Sequence, residues 1–418
     1  MTLEKRRVVI TGRGLLSPLG PTLHDNWNAL TKGTSAIDFI SSLERSSLKV
    51  KIAGELPHFN PECLPTKKKY IKLMNRDAQL AVAATSLALE DSKLNREETD
   101  PSEIGVAFGA FGIQYTFEEA YVFLEELEGD TTLSPIWPLT ILPNMSLCHS
   151  AIVHNLKGPN IAFCSLTTSG AQAVGEAFKA IQYGETDIFV AGGCSSLNPS
   201  YLFSLDASGF LAHEETNPGS ACRPFDEKRN GFAIGEGGAV VILEELSHAQ
   251  KRNAPIYGEL IGYASTMQGY TLPNEVDSGT IRLDGVVSCL EETIEQGGIQ
   301  PQDIDYINAE GNATALSDRV ETEALKRVFG KDAYNLSISS TKATMGHLLC
   351  ASGPAELIVS TLAMREGTIP PTINYQNPDS HCDLDYTPNR CKQKEINTVL
   401  SLTLGLSGEN AALLIKKF

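Results

Sequence analysis

Thiols are the most reactive side chains in this chain, and their spacing limits what they can do. Nine are present, at Cys63, Cys148, Cys164, Cys194, Cys222, Cys289, Cys350, Cys382 and Cys391. None forms a Cys-x-x-Cys pair and the number is odd, so they read as reduced side chains of a cytoplasmic protein, with no metal and no cofactor expected. A thiol becomes an acyl nucleophile when a helix N-terminus and its backbone N–H groups lower its pKa and stabilise an oxyanion. Cys164 stands nearest such a place, at the exit of an apolar stretch and ahead of a helical pattern over Ala171–Tyr183.

The elements that must carry these residues are legible as alternation. Short apolar runs bounded by turn residues read as buried strands: Val8–Gly12, Ile188–Gly193, Ala239–Leu243, Ile304–Asn308 and Val399–Gly405. Patterns rich in Ala, Glu and Leu at Asp77–Ser92, Ala171–Tyr183 and Glu321–Phe329 read as helices between them. Together they predict a layered α/β fold with mostly parallel sheets. The rhythm restarts after about Ala254, so two halves are expected, residues 1–253 and 254–418, although no repeat is visible in the residues themselves.

Composition excludes several functions. The net charge of -17 argues against nucleic acid, because phosphate binding needs clustered Lys and Arg. It argues equally against broad docking of an acidic carrier protein. Only Val8, Val9 and Ile10 follow the basic start Lys5-Arg6-Arg7, too few for a signal-peptide core, and no apolar run reaches the roughly 18 residues of a membrane helix. The basic stretch Lys67-Lys68-Lys69 reads as part of a solvated loop.

Several motifs, in order and in register, resemble the β-ketoacyl-acyl carrier protein synthases of the thiolase superfamily. They are Val8–Gly20, Gly158-Pro159, Gly184–Gly193, Arg223-Pro224-Phe225-Asp226 through Gly235-Glu236-Gly237, Ser339–Gly353 and Pro370–Asn374. The resemblance implies a thiolase-like, five-layered αβαβα fold of two similar halves, and a dimer. It also places the family's nucleophilic cysteine at Thr167, in Cys164-Ser165-Leu166-Thr167-Thr168-Ser169-Gly170. Cys164 lies three residues too early and is otherwise a packed strand residue. A threonine nucleophile would need a strong adjacent base, and Thr167 otherwise simply opens a helix.

The rest of the implied site is degenerate too. The family's Asn-Ala-His-Gly-Thr reads Asn308-Ala309-Glu310-Gly311-Asn312, so a histidine has become Glu310. A carboxylate repels the charge that builds on a thioester carbonyl; only a protonated, strongly buried Glu310 could donate to it. His347, Lys342 and Glu356 match the second histidine, the lysine and a supporting acid, and are open to a structural or a residual catalytic role. The gate turn keeps Gly405 but has Leu404 and Leu406 where the family has phenylalanines.

A ketosynthase-like chain without its nucleophile resembles the chain-length factor of type II polyketide synthases. That implies pairing with an active ketosynthase α subunit, contact with acyl carrier protein mainly through that partner, and a tunnel for the growing polyketide. A helix over Phe108–Leu124 would line the tunnel with Tyr115, Phe117, Glu118 and Val122. Two other readings stay open: an acyltransferase or decarboxylase with altered chemistry through Thr167 or Cys164, and a homodimeric scaffold.

Overall fold

The computed structural model describes residues 5–43, 48–56, 58–112, 117–129, 135–214, 216–268 and 282–418. The apolar runs become strands: β1 (Val8–Leu16), β2 (Ile37–Phe39), β3 (Ile52–Gly54), β4 (Ile104–Gly109), β5 (Asn160–Phe163), β6 (Ile188–Ser195) and β7 (Gly237–Glu245). After them come β8 (Gly258–Met267), β9 (Tyr306–Asn308), β10 (Ser337–Ser339), β11 (Thr368–Ile369), β12 (Lys392–Gln393), β13 (Thr398–Leu404) and β14 (Glu409–Lys416). Ten of these make one sheet in the order β10-β9-β13-β14-β8-β1-β7-β6-β4-β5.

That order is a duplication. In the first half the strands lie β5-β4-β6-β7-β1, and in the second β10-β9-β13-β14-β8. Counted by appearance, both run third, second, fourth, fifth, first. The halves join edge to edge where Val8, Val9 and Ile10 of β1 pair with Leu260, Glu259 and Gly258 of β8. The expectation of mostly parallel sheets is corrected here. Pairs β4–β5, β4–β6, β9–β10 and β9–β13 are parallel, but β1–β7, β6–β7, β1–β8, β8–β14 and β13–β14 are antiparallel. The turn between Leu404 and Glu409 is far too short for the crossover that a parallel pair requires.

Five layers result. Helices Ser169–Gln182 and Ser352–Glu366 share the middle core, where Val174, Phe178, Leu357 and Leu362 meet Phe189 and Val241 from one half of the sheet and Val399 and Leu413 from the other. Arg76–Ser92 covers the outer face of the first half through Leu80, Ala84 and Ala88, against Val106, Val190 and Ile242. Asp284–Gly297 and Ala315–Phe329 cover that of the second, with Leu290 and Leu325 against Ile307, Leu400 and Leu414. Alternate residues of one strand thus serve both cores, as the period of two dictates. Among the described residues no helix is long and apolar enough to cross a membrane.

The middle helices start in the same way. Each follows a one-turn 3-10 helix, Leu166–Thr168 or Leu349–Ala351, opened by a leucine in the left-handed region, with φ of 47° at Leu166 and 46° at Leu349. A repeat is therefore present after all: Leu166-Thr167-Thr168-Ser169-Gly170 in one half, Leu349-Cys350-Ala351-Ser352-Gly353 in the other. Glycine is needed at the fifth position of each. A Cβ on Gly170 would run into the Cys350 carbonyl oxygen and come within 2.8 Å of Pro354, and one on Gly353 would lie 2.7 Å from the Ala171 Cβ. The N-terminal turns of the two helices thus touch.

The helix expected over Phe108–Leu124 needs correction. Phe108 and Gly109 end strand β4, and the helix begins only at Phe117, running to Glu128. Phe108 is fully buried by its sheet neighbours, which holds this stretch extended. Tyr115 lies outside the described residues. Phe117 and Glu118 fall in the helix's first turn, and Val122 is 37% exposed.

Candidate active site

Thr167 sits in the middle of its 3-10 turn, fully buried, with no hydrogen-bond partner for its hydroxyl. The turn packs against the ends of β13 and β14 and against Leu349–Ala351. It therefore stands where the two halves meet, at the N-terminus of a 14-residue helix. Among the described residues no histidine or carboxylate hydrogen-bonds Thr167, so none there supplies the base a hydroxyl nucleophile needs.

Cys164 is not the packed strand residue expected. It is the first residue past β5, the last strand of its sheet among the described residues, and it is exposed. The counterpart of Thr167 in the second half offers no nucleophile in its place. Cys350 stands in the second half where Thr167 stands in the first, but it is fully buried, and burial pushes its thiol up to about 12.

Glu310 lies just beyond β9 and is completely buried. Its Oε2 accepts the backbone N–H of Leu404 at 3.2 Å. Its Oε1 stands 3.4 Å from Lys342 Nζ and 3.2 Å from His347 Nε2, the latter bent enough to be a charge–dipole contact rather than an aligned hydrogen bond. Lys342 Nζ also donates to Glu356 Oε1 at 2.5 Å. His347 Nδ1 accepts the Leu349 N–H at 3.1 Å, which places the ring proton of the neutral imidazole on Nε2, facing Glu310.

Two carboxylates thus share one ammonium, and the proton balance follows. Burial raises Glu310, but Lys342 and His347 outweigh burial and hold it below its ordinary range. Burial pushes Glu356 up to about 8, because Lys342 is already neutralised in part by Glu310. Burial lowers His347 despite Glu310 beside it, so the imidazole is neutral. Glu321, whose carboxylate accepts the backbone N–H groups of Glu310 and Gly311, is pushed up to about 8, again chiefly by burial. The carboxylate that faces the site is Glu310, and it is charged.

The structure therefore brings Glu310, Lys342, His347 and Glu356 together and adds Leu404 through its backbone. Leu404 is buried at the end of β13, and Gly405 N–H closes the turn onto the Glu409 carbonyl at 2.6 Å. Leu406 packs in the cluster that also holds Leu166 and Leu349. Sequence reasoning had not connected Glu310 to Leu404 or singled out Glu321. A carboxylate in register with a site histidine was the available signal for the first; an acid on the buried face of the next helix was the signal for the second.

Five layers, duplicated halves and a site built where two helix starts meet define a thiolase-like ketosynthase fold. Two family models cover the chain: the β-ketoacyl synthase N-terminal domain over residues 5–249 and the C-terminal domain over 257–376. The chain belongs to the β-ketoacyl synthase family. It is 38% identical over 417 residues to 3-oxoacyl-[acyl-carrier-protein] synthase 2 of Coxiella burnetii, covering 99% of both chains. It is 35% identical to the protein of that name from Synechocystis, covering 100% of this chain and 99% of the other. Among solved structures it is similar to a β-ketoacyl synthase from Burkholderia phymatum (TM-score 0.91, 28% identity, 99% of this chain and 100% of that one). It is likewise similar to the ishigamide ketosynthase/chain length factor (TM-score 0.89, 25% identity, 99% and 100%).

Proposed function

We propose that this chain is a catalytically degenerate ketosynthase subunit of the chain-length-factor type, which pairs with an active ketosynthase and forms part of the tunnel that measures a growing polyketide. The observation that carries this reading is the charged carboxylate of Glu310, buried against Lys342 and His347 where a neutral imidazole would have to stabilise a thioester oxyanion. Thr167, without a base, supplies no nucleophile. On this reading Lys342, His347 and Glu356 have become structural.

The surface supports a partner. Tyr121, Leu124 and Leu127 on the helix Phe117–Glu128 are each more than half exposed, and among the described residues the outer side of β5 is unpaired. Exposed apolar side chains on a helix and an open strand edge each call for a covering protein. Similarity to the ishigamide ketosynthase/chain length factor agrees with that choice of partner. Acyl carrier protein then docks mainly on the active subunit, which suits a chain with a net charge of -17.

Co-expression with a cysteine-bearing homologue tests the reading. A stable heterodimer should co-purify, and intact-protein mass spectrometry after incubation with an acyl donor should put the acyl group on the partner alone. A stable mass increase on this chain at Cys164 or Thr167 would make it an active transferase instead.

A further inference from the structure

One hydrogen bond and two close polar contacts converge on Glu310, and none comes from its neighbours in sequence. The Leu404 backbone N–H reaches Oε2 at 3.2 Å, while Lys342 Nζ at 3.4 Å and His347 Nε2 at 3.2 Å flank Oε1. The imidazole presents a proton there because Nδ1 is engaged by the Leu349 N–H and lies 3.1 Å from the Ser352 hydroxyl. All of these side chains are buried. A backbone N–H, an ammonium and an imidazole N–H around a dry space are how proteins hold small carboxylates and oxyanions. Here the anion is a side chain of the same molecule.

We propose that Glu310 is a built-in ligand: it fills, in cis, a latent carboxylate site formed by Leu404, Lys342 and His347, and so keeps external carboxylates and thioester oxyanions out. The inference deepens the reading above, since it rests on Glu310 as the occupant of the degenerate site, but it does not depend on any partner subunit. The other carboxylates nearby are engaged elsewhere. Glu356 is held on Lys342 at 2.5 Å, Glu321 takes the backbone N–H groups of Glu310 and Gly311, and Asp318 takes those of Phe225 and Ala313 beside Arg229. None of them replaces Glu310 at the Leu404 N–H. Truncating Glu310 to alanine removes a fragment the size of acetate and leaves the three donors facing the void, so acetate is the ligand that fits.

The test is thermal unfolding of the full chain, with any co-purified partner, in about 100 mM acetate and in chloride of equal ionic strength at one pH. Glu310→Ala should gain about 2 °C or more from acetate, saturably. The wild type and Glu310→Gln, whose side chains fill the space, should gain nothing beyond the chloride control. Equal acetate effects on all three proteins would overturn the proposal, as would a Glu310→Ala protein that stays unfolded in acetate while Glu310→Gln folds. Should both variants stay unfolded, hydrogen exchange in the wild type decides. Slow exchange of the Leu404 amide relative to Leu406 supports the carboxylate anchor, and fast exchange overturns it. Heterodimer formation is not read in any arm, so failure here is separable from failure of the partner assignment.

Discussion

Lys342 Nζ lies 2.5 Å from Glu356 Oε1, with both side chains almost wholly shielded from water. Removing the ammonium would leave Glu356 and Glu310 facing each other without compensation. Lys342→Met should therefore cost about 3–5 kcal/mol, the usual penalty for breaking a buried pair. Lys342→Met combined with Glu356→Gln should recover part of that loss. Urea denaturation of the three proteins checks it; a Lys342→Met protein as stable as the wild type would show that the network contributes nothing.

Stability should fall as pH rises from acid to mildly alkaline. Burial pushes Glu356 and Glu321 up to about 8 and Asp318 to about 7. Between their lower unfolded-state values and those raised ones, the folded chain keeps protons that the unfolded chain has already released. Each unit of pH in that window thus favours unfolding, until the slope vanishes above about 8. Glu310 acts oppositely: its lowered pKa gives stability that is present above the unfolded value and lost as pH falls through the folded one. The denaturation midpoint should be higher near about pH 6 than near about pH 8.5, and Glu356→Gln should flatten the slope. A midpoint that rises between those two values would contradict these assignments.

A thiol at position 167 alone should not give condensing activity. Thr167→Cys puts a cysteine at the helix start, but Glu310 still holds the Leu404 N–H and still repels charge. The single variant should remain unable to condense malonyl units. Thr167→Cys with Glu310→His should become acylated by an acyl donor, measured by intact mass. Acylation of the single variant at an equal rate would mean that Glu310 does not block the site.

Chain length should respond to Val122. It lies on the helix Phe117–Glu128 and is 37% exposed in the single chain, and under the proposed function it would line the tunnel. In the reconstituted heterodimer, Val122→Phe should shorten the product and Val122→Ala lengthen it by one or more two-carbon units. Unchanged products from intact, turning-over complexes would place the ruler elsewhere.

Much of the architecture could be read from apolar runs, because a buried strand needs little beyond them. Val8–Ile10, Ile188–Gly193 and Val399–Leu404 are strands, as their composition dictates. Strand direction was not legible, since it depends on connections and pairings that no single run encodes. The site was half legible. Thr167 and Glu310 stood out as departures from an otherwise intact pattern. The Glu310–Leu404 bond did not, because one partner is a backbone N–H that carries no residue signature. The resemblance placed one helix over Phe108–Leu124, yet β4 occupies its start at Phe108 and Gly109, and Tyr115 lies outside the described residues.

The two touching helix starts carry one more implication. Their spacing is set by Gly170 and Gly353, residues too small to react with anything, while the reacting positions hang beside them. The frame and the chemistry are therefore under separate control. Replacing Thr167 by a thiol, or Glu310 by an imidazole, changes the chemistry offered there and leaves the glycine-set contact between the two halves in place. A protein built this way can retire from catalysis and still keep the shape by which other molecules recognise it.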